Sequence, residues 1–295
     1  MFQFFANIFG YLLNFINNFV GNYGLAIILF TVLIKIIMLP LSIKQQRTMK
    51  KSTELNEKIK VLQFKYKNDP EKLNREMMDL YKKENMSPFS GCLSTIAQFI
   101  LLISIFYMVR CPLTYMEKIN NDQINTYVQQ LKDGGITVNQ AYSEIDIIRE
   151  LDYLKEKMPE DEGLNKINLN MNFCGLDLSK IPQQNLNDWT VYIIPALYII
   201  STFISMKITT SMQKKSKKKD GVIDITEKEE KDSKEEEKNE MEDMMEQSNK
   251  MMSWMMPIMS VSISLVAPLG LALYWLVNNI LMIGERLVLN KIIKD

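Results

Sequence analysis

The sequence predicts an all-α integral membrane protein, a five-transmembrane-helix bundle with an N-terminal interfacial helix and a cytoplasmic helical hairpin. Three observations carry that prediction. Apolar residues of the 295-residue chain are bunched into five runs, at 23–42, 88–110, 189–207, 251–267 and 268–290, each of about the length that crosses a bilayer. The stretches between the first three runs are charged with opposite sign: residues 43–87 hold 12 Lys/Arg and 7 Asp/Glu, whereas residues 113–188 hold 7 and 13. Heptad-like spacing of apolar residues in 43–87 points to paired helices there. The net charge of zero is therefore a sum of unlike loops.

By the positive-inside rule, the basic loop is cytoplasmic and the acidic one outside. Lys207, Lys214, Lys215, Lys217, Lys218 and Lys219 put the end of the third span inside as well. The predicted topology is a multi-pass chain with its N-terminus outside and its C-terminus in the cytoplasm.

Residues 1–22 contain no charged side chain and lack the basic start and cleavage site of a signal peptide. Phe4, Phe5, Ile8, Tyr11, Leu12, Phe15, Ile16 and Phe19 recur at helical spacing, with Asn7, Asn14, Asn17 and Asn18 on the other side. This predicts an amphipathic helix in the outer interface.

In the first span, residues 25–41 read LAIILFTVLIKIIMLPL, with Lys35 as the one ionisable side chain. Twelve of these residues are Leu, Ile, Val or Phe. Each favours insertion by roughly 0.3 to 0.6 kcal/mol, against roughly 3 kcal/mol opposing it for a central lysine. The segment inserts with its charge aboard. Two readings of Lys35 stand. Its stem lets the ammonium reach the interface near Pro40, or the ammonium faces the bundle interior and a wet cavity.

Residues 43–87 predict the hairpin. Leu55, Ile59, Leu62 and Tyr66 line one arm, and Leu73, Met77, Leu80 and Glu84 the other; Asn68-Asp69-Pro70-Glu71 supplies a turn, an Asp N-cap and Pro at the first helical position. The second span carries Ser94, Thr95, Gln98 and Ser104. Hydroxyls there commonly bond their own helix, whereas Gln98 needs a neighbouring helix or water.

The outer loop 111–188 is too long to be structureless and predicts a helical cap. Ser143 is expected to cap a helix with Ile147, Leu151, Leu154 and Met158 on one face, and Gly134-Gly135 and Met158-Pro159 are expected breaks. In the third span Pro195 predicts a kink. Within the charged loop 208–250, residues 220–240 are low-complexity Lys and Glu, and no site is attached to them. Residues 241–259 hold 8 of the 21 methionines, either as gap-filling in a loose bundle or as a deformable surface for varied guests. Asn278 and Asn279 sit in the fifth span and serve helix packing or add polarity to a cavity. A short tail, 291–295, follows.

The chain has no histidine, which removes a common base and metal ligand. No metal site, cofactor or catalytic residue is predicted, and no phosphate-binding glycine loop is present. Cys92 and Cys111 lie at opposite ends of one span, too far apart to pair. Cys111 and Cys174 share the outer side, where either a disulfide or two free thiols is compatible with the sequence.

Four stretches together resemble the YidC/Oxa/Alb family of membrane-protein insertases: NYGLAIILFTVLIKIIMLPLSIKQQ at 22–46, KYKNDPEKLNREMMDLYKKENMSPFSGC at 65–92, WMMPIM at 254–259 and PLGLALYWLVNNI at 268–280. The resemblance implies a five-helix core in the plasma (inner) membrane, with a hydrophilic groove open to the cytoplasm and to lipid and closed outside. It places Lys35 in that groove, where the family usually has an arginine; lysine keeps the charge but lacks the planar fork of donors. Gln98 matches the polar position of the second span, although the Pro often found after it is replaced by Phe99-Ile100. The client-binding groove is accordingly expected to involve Lys35, Thr31, Ser94, Gln98, Asn278 and Asn279. The apolar client surface is expected at Met252, Met255, Met256 and Met259.

The implied activity is non-enzymatic. Polar tails of client proteins enter the groove, Lys35 attracts their acidic groups, and apolar segments leave into lipid. Expected partners are nascent membrane proteins and membrane lipids, with a Sec translocon and the ribosome left open. A functional monomer without nucleic-acid sequence recognition is expected. Only Asn290 to Asp295 follow the last helix, so ribosome contact is expected at the hairpin or the basic run 207–219. The outer loop and the Lys/Glu insert look longer than is usual in the family. Two rival readings are a small-solute transporter or channel with Lys35 as an anion site, against which the missing internal repeat argues, and a passive scaffold displaying the hairpin.

Overall fold

The computed structural model describes residues 2–66, 69–84, 90–219 and 261–292. Within these, several side chains, those of Ser94 and Gln98 among them, lie outside the described set. The described chain is helical apart from one small hairpin of strands. Three of its helices are long and apolar enough to cross a membrane, over Tyr23–Thr48, Trp189–Ser211 and Leu269–Leu289. The expected second span is a 21-residue helix containing the apolar stretch Phe99–Arg110. Most of the expected fourth span lies outside the described residues; 261–266 is helical.

Helix α1 (Phe2–Val20) buries Ala6, Phe9, Gly10, Leu13 and Asn17, a stripe at three- and four-residue spacing. It packs against α2 (Tyr23–Lys65) and α4 (Ser90–Arg110). A Cβ at Gly10 would run into the backbone carbonyl of Tyr115, so glycine is what permits this close approach. Phe4, Tyr11, Phe15 and Phe19 face outward. Asn7 and Asn18 are exposed, but the other two asparagines turn inward: Asn14 Nδ2 donates to Met116 O (3.0 Å) and Asn17 Nδ2 to Asn168 O (3.1 Å). Buried carbonyls of the cap need donors, and these amides supply them.

Helix α2 is a single 43-residue helix that runs through Pro40. The expected division between span and hairpin at residue 42 is therefore a change of environment within one rod. Its far end turns at Tyr66 and Asp69 into α3 (Pro70–Lys83). Asp69 accepts from Lys72 N (3.0 Å), Pro70 opens the helix and Glu71 sits in its first turn, as the local sequence signals require. Leu55 and Ile59 are buried on α2, whereas α3 buries no residue.

The segment from α4 to the third span forms the cap. It contains α5 (Pro112–Tyr115), α6 (Asn121–Asp133), α7 (Ser143–Arg149), α8 (Leu151–Lys157), α9 (Glu162–Lys166) and a hairpin of β1 (Asn172–Phe173) with β2 (Leu176–Asp177). At the hairpin tip Cys174 and Gly175 both have positive φ, 52° and 79°, which matches the handedness that tight hairpins require. Ser143 does not cap: Tyr142 occupies that position without a side-chain bond, and the expected single helix breaks at Glu150 into two. Ile147 and Leu154 are still buried together in the cap core. Cys111 and Cys174 are both free.

The third span is α10 (Ile193–Lys219). Pro195 lies in its first turn, where a missing N–H costs no intrahelical bond, so the expected kink does not arise from it. The last span is α11 (Leu269–Ile292). The cap seals one end of the bundle by satisfying helix N-termini that would otherwise hold unpaired donors. Leu269 N bonds Lys180 O and Gly270 N bonds Leu178 O, both at 2.9 Å, while Tyr23 N bonds Asn170 O at 3.0 Å. Asn22 accepts from Leu25 N and donates to Asn172 O (2.7 Å).

Candidate functional site

Lys35 lies twelve residues beyond the start of α2, about 18 Å from the cap end. Its Nζ is 3.4 Å from Oε2 of Glu285 on α11, and the two side chains are 19% and 13% exposed. Glu285 is about 24 Å along α11 from Leu269, past the middle of that helix, while Lys35 lies in the first third of the 43-residue α2. An isolated charge at such depth is strongly disfavoured, and the pairing offsets part of that cost. The ammonium is thus neither free nor sealed off.

Thr31, one turn before Lys35, is 2% exposed and donates to Ile27 O (2.6 Å) within its own helix. Asn278 is half-buried and lies two turns before Glu285, hence on the same side of α11. Asn279 points the other way, buried at 6%, and its Nδ2 donates to Ser201 Oγ (2.9 Å) and Thr202 Oγ1 (3.2 Å) on α10. Two turns further on, Arg286 donates through Nη1 to Thr209 Oγ1. The last helix therefore shows one polar side toward α2 and another to α10, with Glu285 and Asn278 on the first and Asn279 and Arg286 on the second. The side chains of Ser94 and Gln98 and all of Met252, Met255, Met256 and Met259 lie outside the described residues.

Glu285 and Arg286 are the residues that sequence reading passed over. Their signal is plain once sought: two adjacent charges, Gly284-Glu285-Arg286-Leu287, inside a run otherwise apolar enough to insert. Ser201, Thr202 and Thr209 carried no comparable signal, because hydroxyls in a span usually bond their own helix; all three also do so.

The cap end has a separate polar cluster. Glu144, 5% exposed, accepts from Thr114 N (2.9 Å) and Thr114 Oγ1 (2.6 Å). Burial pushes its carboxyl above the usual range despite these bonds. Burial, with the nearby Glu144 charge, pushes the Cys111 thiol up to about 12, so it is an inert thiol rather than a nucleophile. Asp188 is held down at about 2 by the Lys180 ammonium and by Thr190. Among the described residues no group of His, Cys, Asp and Glu is disposed to hold a metal ion.

A family model described as 60Kd inner membrane protein matches residues 15–295. A membrane protein insertase YidC of Caldanaerobacter subterraneus subsp. tengcongensis is 48% identical over 101 residues, 34% of this chain and 49% of that protein. One of the same name from Francisella tularensis subsp. novicida is 46% identical over 109 residues, 37% of this chain and 20% of that protein. The matched stretch thus spans about half the length, or less, of these curated relatives.

Proposed function

The chain belongs to the family described as 60Kd inner membrane protein, and on that footing we propose that this multi-pass, all-α protein of the cell membrane is an insertase and folding chaperone for membrane proteins. Its clients are nascent membrane proteins, and the names of the two relatives support that choice. The observation that carries the reading is Lys35: a lysine in an otherwise apolar span, partly exposed, and paired across the bundle with the last span.

In this reading the hairpin end faces the cytoplasm and the cap end the outside, with the N-terminus out and the C-terminus in. The loop charges support it through the positive-inside rule. A hydrated groove on the hairpin side admits the polar tail of a client, and the Lys35 charge draws acidic groups of that tail inward. The client's apolar segment then passes between helices into lipid, and its transfer from water supplies the driving force. Ser94, Gln98 and Asn278 contribute polarity around the path, Thr31 and Asn279 serve helix packing instead, and Met252, Met255, Met256 and Met259 offer an adaptable apolar contact. The backbone bonds between cap and helix N-termini support an outer end that stays closed.

The test is insertion of a single-span client with an acidic N-terminal tail into liposomes containing the purified protein. Lys35→Glu is expected to abolish insertion and Lys35→Arg to preserve it. Because Lys35→Glu sets two carboxylates side by side, the charge-swapped variant Lys35→Glu with Glu285→Lys serves as the folding control. Normal insertion by Lys35→Glu overturns the role given to that charge.

A further inference from the structure

The insertase reading treats Lys35 as a lone cation, yet its ammonium already has a carboxylate beside it. We propose that Glu285 is a resident competitor for the Lys35 ammonium, which client carboxylates must displace, and that it thereby sets how acidic a tail must be for uptake. The proposal rests on the insertase reading and deepens it.

The geometry favours a displaceable partner over a fixed strut. Among the described residues the N···O contact of the pair is 3.4 Å, longer than the roughly 2.8 Å of a tight charge-assisted bond. An ammonium has three donors, and this contact occupies one. Neither side chain is sealed, at 19% and 13% exposure, so a third group can approach the pair. Other ion pairs in the same chain are tighter: Arg149 meets Asp146 at 2.8 Å and Lys180 meets Asp188 at 2.8 Å.

Placement points the same way. Glu285 comes from α11, whereas Lys35 is the one ionisable residue of 25–41 on α2, so the pair spans the two helices between which a tail would reach the cation. The neighbouring cation, Arg286, is turned aside to Thr209 on α10. Glu285 is thus directed at Lys35 by the helix it sits on, with Asn278 two turns away on the same side offering a neutral polar group. With Glu285 in place the site is close to neutral and accepts uncharged polar tails without strong preference. With Glu285 neutralised, the ammonium is bare and sorts tails by charge.

The experiment uses the full chain in liposomes and two single-span substrates that differ only in their tails, one with paired aspartates and one with paired asparagines; the protease-protected tail is measured. For Glu285→Gln the ratio of aspartate-tail to asparagine-tail insertion is expected to rise roughly fivefold, as for loss of a partly exposed ion pair. Glu285→Asp, which keeps the charge on a shorter stem, is expected to fall between Glu285→Gln and the unsubstituted protein. An unchanged ratio overturns the proposal, as does an equal loss of both substrates. Failure of both variants to accumulate in the membrane also overturns it, because the pair is then structural. If the unsubstituted protein inserts neither substrate better than protein-free liposomes, it is the insertase reading that fails.

Discussion

The two ends of the bundle are held by different physics. At the cap end, backbone donors of Tyr23, Leu269 and Gly270 bond carbonyls of the cap, and residues such as Leu113, Tyr127, Leu131, Ile147 and Leu154 are almost fully buried. At the hairpin end, burial within the hairpin is limited to Leu55 and Ile59 on α2 among the described residues, with none on α3, and the arms are also tied by the exposed pair Lys58–Glu84. Apolar burial scales with area and is hard to undo locally, whereas exposed ion pairs are weak and salt-sensitive. The cap end is therefore the more firmly held of the two.

The comparison can be broken most forcefully at Gly10. Gly10→Val drives a side chain into the backbone of α5, and overpacking of this kind costs about 1 to 3 kcal/mol or more. A lowered thermal unfolding midpoint in detergent, together with faster proteolysis of the cap, is the expected outcome; an unchanged midpoint would mean that α1 does not hold the cap. A smaller effect is expected from pH. The carboxyl of Glu144 is raised by burial, so its protonated form is the one the fold favours. The stability linked to it is fully present below the ordinary glutamate value and is lost as pH rises through the raised folded value. Protection of cap amides, after correction for the intrinsic pH dependence of exchange, is expected to rise on moving from neutral to mildly acidic pH, and Glu144→Gln is expected to remove that rise. The smallest effect belongs to Lys58→Ala. With both partners exposed, unfolding of the bundle is expected to stay within measurement scatter, while protease sensitivity between α2 and α3 rises slightly, and less so in high salt.

What was legible in the chain follows the range of the forces involved. The turn into α3 was readable because Asp69, Pro70 and Glu71 act on their own neighbours. The membrane character of 25–41, and Lys35 as its exception, was readable because hydropathy is a local sum. Glu285 was not found, since its meaning depends on a residue 250 positions away. The cap was harder still: breaking the helix at Glu150 and turning the chain at Cys174-Gly175 depend on what packs around them. Asn14 and Asn17 of α1 taught the same lesson, because polarity predicted exposure and the cap backbone claimed them instead.

The unbroken course of α2 has a mechanical consequence. Roughly 45 Å of continuous helix joins Lys65 at the hairpin turn to Lys35, with a softer joint where Pro40 omits one rung of the hydrogen-bond ladder. A bend of the arm is therefore taken up at that joint, five residues from Lys35, rather than spread along the rod.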